Sequence, residues 1–397
     1  MRWMRGMRPH MNPDFQTVDP ASTLEVWAPR WLANGRAGFA SMLEAIRSAR
    51  LCIQLETYTC TDCSITRSFR DALVEACKRG VRVRVLVDAF GSLELEGSFW
   101  APVVEAGGEF RWFNPVALKR IAYRNHRKLL VCDRHRAFIG GFNLAEEYDG
   151  DGVTSGWRDL GLELQGGIVS ELADSFELMF QKAETRHSLW KKLRLANSET
   201  VTQGRQWKLL LNIPSFLRRT IKQTLVADLQ SARSVRIMAA YFLPTWRIRH
   251  ELLKLARSGT RVQLLLAGKS DVRLAQLAGR RLYDVFMKAG VEIWEYQPQV
   301  LHAKLVVIDD VVYAGSCNLD LRSLNFNYEL MVRVEDSKLA AQARQMFDGD
   351  LAHAKRINSA TWRHQRGLLT KLQERVSHFL LARLDPFVAR WQLRLLR

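Results

Sequence analysis

With 397 residues, of which 47% are apolar, the chain has the length for two ordinary domains and the composition of a globular protein, which excludes a disordered or fibrous chain. A formal charge of +18 implies a polyanionic partner and leaves an anionic membrane and nucleic acid both open. No uninterrupted apolar run approaches the roughly 18 to 20 residues of a membrane span, so any membrane contact is expected to be peripheral.

In chain order, residues 1–22 form a basic extension whose first twelve residues carry three arginines with no apolar core behind them, unlike a secretory leader. From Thr23 the pattern predicts a strand (Leu24 to Trp27), a helix through Phe39, Met42, Leu43 and Ile46, and a buried strand from Leu51 to Tyr58. A helix over Ser68 to Lys78 closes at Gly80 before the alternating strand Val81, Val83, Val85, Val87, and another helix leads to Ala106 and a short strand from Phe110 to Phe113. The six cysteines fall mostly in apolar patterns, as buried thiols do, and Cys60-Thr-Asp-Cys63 lacks the second ligand pair of a zinc site.

Asn125 to Asn143 and His302 to Asn318 repeat one pattern, H-x-K-x4-D: His126, Lys128 and Asp133, then His302, Lys304 and Asp309. The runs Leu129 to Val131 and Leu305 to Ile308 read as strands ended by polar turns, so each His and Lys share a face while each Asp has the opposite parity and falls at the turn. The aspartates therefore read as turn and capping groups. Each returning strand ends in a Gly-x-x-Asn cluster, Gly140-Gly141-Phe-Asn143 and Gly315-Ser316-Cys-Asn318, where glycine admits a close approach and the serine and amides can hydrogen-bond a phosphate. His353-Ala-Lys355 has the His and Lys spacing, lacks the Asp at position 360, and reads as surface.

The repeat extends beyond the motif. Ser231-Ala232-Arg233 and Tyr241 stand 183 residues after Ser48-Ala49-Arg50 and Tyr58, and His302 stands 176 after His126. One α/β unit is duplicated, with domains expected at 23–181 and 206–354, each a mainly parallel sheet covered by helices and packed about a pseudo-two-fold axis that brings both motifs into one site. Between them, residues 182–205 form a basic connector; from Lys182 to Lys222 there are ten Lys or Arg and two Glu, interleaved with Trp190, Trp207 and Phe216. That pattern suits a solvated linker or the headgroup region of a membrane. Residues 355–397 carry ten Lys or Arg and two acids. They read as two amphipathic helices, Leu368 to Leu380 and one capped by Asp385-Pro386, with docking on the domain or binding to a membrane as the alternatives and the charge favouring the membrane.

The doubled motif resembles the phospholipase D superfamily. More narrowly, His302-Ala-Lys304 through Asp309-Asp310, then Gly315-Ser316-Cys-Asn318-Leu-Asp320-Leu-Arg322-Ser323 and Asn327-Tyr-Glu329, is similar to bacterial cardiolipin synthases of the short type without N-terminal spans. The resemblance implies one active site from two halves, with His126, Lys128, Asp133, His302, Lys304 and Asp309 as the catalytic set. It places Glu329 beside His302, and Asp159 of Trp157-Arg158-Asp159 beside His126, as orienting groups, and it marks Tyr241 and Phe242 as substrate contacts.

Such residues suit a phosphodiester. Two lysines neutralise the non-bridging oxygens, one histidine attacks phosphorus, and the other protonates the departing oxygen and then deprotonates an alcohol. No metal or other cofactor is expected. The resemblance favours His126 as nucleophile and implies a cardiolipin synthase using phosphatidylglycerol, with phospholipid partners, no nucleic acid, and a peripheral place on the cytoplasmic face of a bacterial membrane. Water as acceptor would make the same residues a phospholipase D, and a nucleic-acid diester would make them a nuclease.

Overall fold

The structure, a computed structural model, describes residues 29–114, 123–184, 206–214, 220–364 and 366–388. The expected strand at Leu24 to Trp27 lies outside them, as do Trp190, Phe216, Trp391 and Leu395. Two α/β halves repeat one topology. In the first, β1 (Arg30–Leu32), β2 (Cys52–Thr57), β3 (Arg82–Asp88), β4 (Glu109–Phe113), β5 (Leu129–Cys132), β6 (Arg136–Gly140) and β7 (Gly161–Gln165) form a sheet of order β1-β7-β6-β5-β2-β3-β4. In the second, β8 (Trp207–Asn212), β9 (Ser234–Ala239), β10 (Arg261–Ala267), β11 (Glu292–Tyr296), β12 (Lys304–Ile308), β13 (Val311–Gly315), β14 (Glu329–Glu335) and β15 (Ala354–Arg356) have the order β15-β11-β10-β9-β12-β13-β14-β8.

The sheets are mixed rather than mainly parallel. Among the described strands only those joined through helices, β2 to β3 to β4 and β9 to β10 to β11, pair in parallel. The motif strands fold back on each other through tight turns, which forces antiparallel pairing in β5 and β6 and in β12 and β13.

Those turns are built by the motif aspartates. Asp133 adopts a left-handed backbone (φ 54°) and its carboxylate accepts the amides of Arg50, Leu51 and Cys52 at 2.7 to 3.0 Å. Asp309 (φ 51°) accepts those of Arg233 and Ser234. Each stitches its hairpin to the start of the central strand at the sheet end away from the histidines, so Asp133 and Asp309 belong to the scaffold and not to the catalytic set. His353 and Lys355 are exposed at the edge strand β15.

The halves share a core. Leu129, Ala137, Ile139, Leu162 and Leu164 of the first half pack in one buried cluster with Ala314, Leu330, Val332 and Val334 of the second, under the helix Ile168–Glu184. Trp207 belongs to this cluster, so it is a core residue and not a headgroup-facing one. A buried ion pair adds to the interface: the guanidinium of Arg158 donates to Asp350 at 2.7 to 3.0 Å.

The C-terminal helix Leu368–Phe379 packs against the helix Arg273–Arg280 with its polar face inward. Glu374 and Ser377 are buried, whereas Leu368 is 87% exposed, Leu369 69%, Leu372 56% and Phe379 60%. Arg366 bridges Glu374 and Asp284 at 2.7 and 2.6 Å, and His378 approaches the carbonyl of Ala278. Asp385 does not cap a second helix. The chain stays helical through residue 388 by way of a wide π turn at Leu380–Leu384, which accommodates a proline inside a helix, and the Asp385 carboxylate is instead held by Arg322.

Candidate active site

The site lies where the C-terminal side of each half meets the other. His126 donates its backbone amide to the Tyr328 carbonyl (3.0 Å) and Tyr328 donates to the Arg124 carbonyl (2.9 Å). His302 and Arg158 do the same in the other half, His302 to the Arg158 carbonyl and Arg158 to the Val300 carbonyl, both at 2.8 Å. These short parallel bridges, Asn125 with Tyr328 and Arg158 with Leu301, carry the strand preceding each histidine to the residue just before the other half's carboxylate.

The carboxylates are consequently exchanged. Nδ1 of His126 lies 3.1 Å from Glu329, and Nδ1 of His302 lies 2.7 Å from Asp159. This reverses the pairing expected from the resemblance, in which each histidine kept its own half's acid. With each carboxylate accepting the Nδ1 proton, Nε2 is the unprotonated nitrogen, and that of His302 lies 3.0 Å from the Lys304 ammonium and 3.4 Å from the Tyr148 hydroxyl.

The surroundings of the two acids differ. The second half has Ser316, whose hydroxyl donates to Glu329 and accepts the Leu330 amide at 3.1 Å. The first half has Gly141 there, because the shorter Asp159 leaves no room: a Cβ would sit 2.1 Å from its Oδ1. Of the two asparagines, Asn143 is committed to the fold, accepting the Thr59 amide (3.1 Å) and donating to the Tyr148 hydroxyl (2.7 Å). Asn318 is buried with its side-chain oxygen unpartnered among the described residues.

All four motif side chains are buried, and burial dominates their titration. It pushes His126 down to about 4 against the opposing pull of Glu329, and holds His302 well below the usual imidazole range. Burial, reinforced by the charge of Lys304, brings Lys128 down to about 7; Lys304 falls to about 8 through burial, with Asp159 and Asp271 opposing. Asp159 is pushed up to about 6 by burial, while Glu329, despite burial, is kept below its ordinary value by His126, Lys128 and Ser316. Two cations are thus confined against each other beside two neutral imidazoles, an arrangement that an anionic ligand relieves. Lys128 donates to the His126 carbonyl at 2.8 Å, and Lys304 reaches the His302 carbonyl and ring.

Aromatic rings wall the site. Tyr58 meets His126 edge-on at 4.9 Å, while Tyr148, Trp157 and Tyr241 surround His302 at 5.1, 5.6 and 6.5 Å. Phe242 is buried in the core of the second half, not at the site. Tyr58, Tyr148 and Asp271 were not singled out by the sequence pattern; Tyr58 had a signal, its 183-residue offset from Tyr241. Among the described residues no group of His, Cys, Asp or Glu could hold a metal ion.

A family model described as "Cardiolipin synthase, PLD-like domain" matches residues 42–149 and 225–351. The chain belongs to the cardiolipin synthase family, enzymes of the phospholipase D superfamily. It is 31% identical to cardiolipin synthase 1 of Bacillus cereus over 366 residues, 88% of this chain and 71% of that one. To cardiolipin synthase B of Escherichia coli K12 it is 31% identical over 329 residues, 81% of this chain and 79% of that one. Among solved structures, phosphatidylserine synthase of Haemophilus influenzae superposes with a TM-score of 0.69 at 15% identity, covering 91% of this chain and 94% of its own, which shows the shared fold. Among the described residues no helix is long and apolar enough to cross a membrane.

Proposed function

We propose that this protein is a cardiolipin synthase that transfers a phosphatidyl group from one phosphatidylglycerol to the terminal hydroxyl of another through a phosphohistidine on His126. The observation that carries the reading is the pair of buried imidazoles, each oriented at Nδ1 by the other half's carboxylate and each accompanied by a buried lysine. Nε2 of His126 attacks phosphorus while the bond from phosphorus to the glycerol oxygen breaks, and His302 gives that oxygen a proton. In the second half-reaction His302 takes the proton of the incoming hydroxyl, a new phosphorus–oxygen bond forms, and the phosphorus–nitrogen bond breaks. Lys128 and Lys304, with Asn318, hold the non-bridging oxygens.

His302 has to be protonated for the first step, and burial and the lysines keep the empty site's imidazole neutral. Bound phosphodiester supplies the missing negative charge, so the imidazolium becomes stable only when substrate is present.

The inverted C-terminal helix supports a peripheral place on an anionic membrane, which we assign to the cytoplasmic face. A helix that docks by its ion pairs and turns Leu368, Leu369, Leu372 and Phe379 outward leaves an apolar stripe for lipid, with Lys371 and Arg375 beside it for headgroups. The test is incubation with labelled phosphatidylglycerol vesicles. Labelled cardiolipin with released glycerol is expected; phosphatidic acid as the main product would make the protein a phospholipase D, and cleavage of DNA with lipid left unchanged would make it a nuclease.

A further inference from the structure

The pseudo-two-fold symmetry breaks at the mouth of the site. Tyr58 and Tyr241 occupy equivalent places beside the two histidines, and they are held by opposite charges. The hydroxyl of Tyr58 accepts from Arg124 Nη1 at 3.3 Å, and the same guanidinium covers the Phe90 ring at 4.2 Å with its buried Nε unpartnered among the described residues. The hydroxyl of Tyr241 donates to Asp271 Oδ2 at 2.6 Å. The bridges across the interface equate Arg124 with Val300, so the second half has no cation at the corresponding position.

Asp271 follows β10, at the strand end nearest the site, and its exposed carboxylate acts electrostatically on His302, Lys304 and Tyr148. Burial, and then Asp271 itself, hold the Tyr241 hydroxyl well above its ordinary range, so this phenol stays protonated and serves to aim the carboxylate. One side of the mouth therefore carries an arginine, with the buried Asp88 behind it, and the other presents a solvent-facing acceptor for hydroxyl protons.

We propose that Asp271, aimed by Tyr241, recognises the hydroxyls of a glycerol group on the His302 side, and so selects a glycerol-type leaving group and an acceptor that presents a free diol. An ionised carboxylate has two oxygens and can accept both hydroxyls of a vicinal diol, and it disfavours an acceptor that carries an anion next to its reacting hydroxyl. The phosphatidyl half then lies towards Tyr58 and Arg124, where negative charge is favoured. This orientation makes the group on the His302 side the one that departs, which leaves attack to His126 on grounds of charge placement alone. Asp271 is a binding group for the alcohol, and Tyr241 is a positioning residue that acts through it.

The inference rests on the phosphatidyl-transfer reading, and one competition experiment separates the two. Full-length protein is given detergent-dispersed phosphatidylglycerol with labelled glycerol and ethanol as competing acceptors, and labelled phosphatidylglycerol and phosphatidylethanol are quantified. Asp271→Ala is expected to lower the preference for glycerol over ethanol about tenfold, the scale of losing a hydrogen bond to a charged group. Tyr241→Phe is expected to shift the preference the same way by less. If the unsubstituted enzyme labels neither product, the transfer reading fails and takes the inference with it. If it labels both and Asp271→Ala reduces them in equal proportion, transfer stands and the role of Asp271 is overturned.

Discussion

Nδ1 of His126 lies 3.1 Å from the carboxylate of Glu329, two hundred and three residues later in the chain, so the imidazole of one half is oriented by the acid of the other. The roles of the two acids can be separated with a phosphatidyl ester of a good leaving group such as nitrophenol, which departs without a proton. Glu329→Gln is expected to abolish the burst of nitrophenol, because His126 loses the partner that fixes its tautomer. Asp159→Asn is expected to keep the burst and stall with phosphate on His126, because only the base for the acceptor is impaired. Losses of about 10² to 10⁴ in turnover are the scale of such orienting groups. Rapid-quench burst amplitudes decide it, and the reverse result would exchange the histidines' roles.

Turnover should depend on pH with a limb on each side. His126 has its pKa depressed to about 4, so it is a neutral nucleophile above that value and is lost as pH falls through it, with Asp159, near 6, shaping the upper part of the limb. Lys128 and Lys304 hold their charge only below about 7 and 8, so affinity for the phosphodiester declines as pH rises through that range. The kcat/KM profile for the free enzyme is expected to be a bell with its alkaline limb between about 7 and 8, moving upward in Lys128→Arg, since a guanidinium does not titrate there.

The same lysines are expected to destabilise the fold. Both are buried, and their folded pKa values of about 7 and 8 lie below the ordinary 10.5. From pH 8 to 10 the unfolded chain therefore binds more protons than the folded one, and these two groups make stability rise with pH. Below pH 7, where both states are protonated, confinement of the charges costs the folded state most, and at pH 7 nearly all of that cost remains. The variant Lys128→Met with Lys304→Met should melt several degrees higher than the parent at pH 7 while losing all transfer; an unchanged or lower Tm at pH 7 would show that the lysines are not strained by burial.

Asp133→Ala and Asp309→Ala should do the opposite. Each removes acceptors for two or three backbone amides and places alanine in a left-handed backbone, at a cost of about 1 to 3 kcal/mol. Denaturant midpoints should fall while turnover per folded molecule stays within about twofold. A loss of turnover with normal stability would restore these aspartates to the chemistry.

Substitution of Leu368, Leu369 and Leu372 by serine should weaken binding to anionic vesicles without lowering Tm, because these side chains already face solvent. Each large aliphatic side chain is worth up to about 1.5 to 3 kcal/mol when buried in lipid, so the triple variant should bind at least tenfold more weakly by sedimentation. A lower Tm with normal vesicle binding would mean that the stripe is covered by protein.

Much of this was legible in the chain because the information is local. The position of Asp133 before an apolar return strand is a statement about a turn, which the structure has; the spacing of His126 and Lys128 is a statement about strand parity, and the two lie in the segment that leads directly into β5. What was not legible depends on how the halves meet. Nothing along the chain distinguishes Asp159 serving His126 from Asp159 serving His302, since the exchange is made by bridges between segments more than 140 residues apart. The tail shows the same limit: apolar spacing over Leu368 to Phe379 defines a stripe, but Arg366 and Glu374 decide which side of the helix is docked. The proportion of parallel strands is hidden for a different reason: each half sets two hairpin strands inside a repeating strand–helix pattern.

Tyr58 with its arginine and Tyr241 with its aspartate show what joining two copies in one chain makes possible. In a dimer of identical subunits any substitution at the mouth appears twice, so a cation gained on one side is gained on both, and donor and acceptor must enter through the same chemistry. Covalent fusion removes that constraint. Each mouth can change alone, and a site whose reacting groups remain nearly mirror copies can give direction to a reaction with two unlike participants.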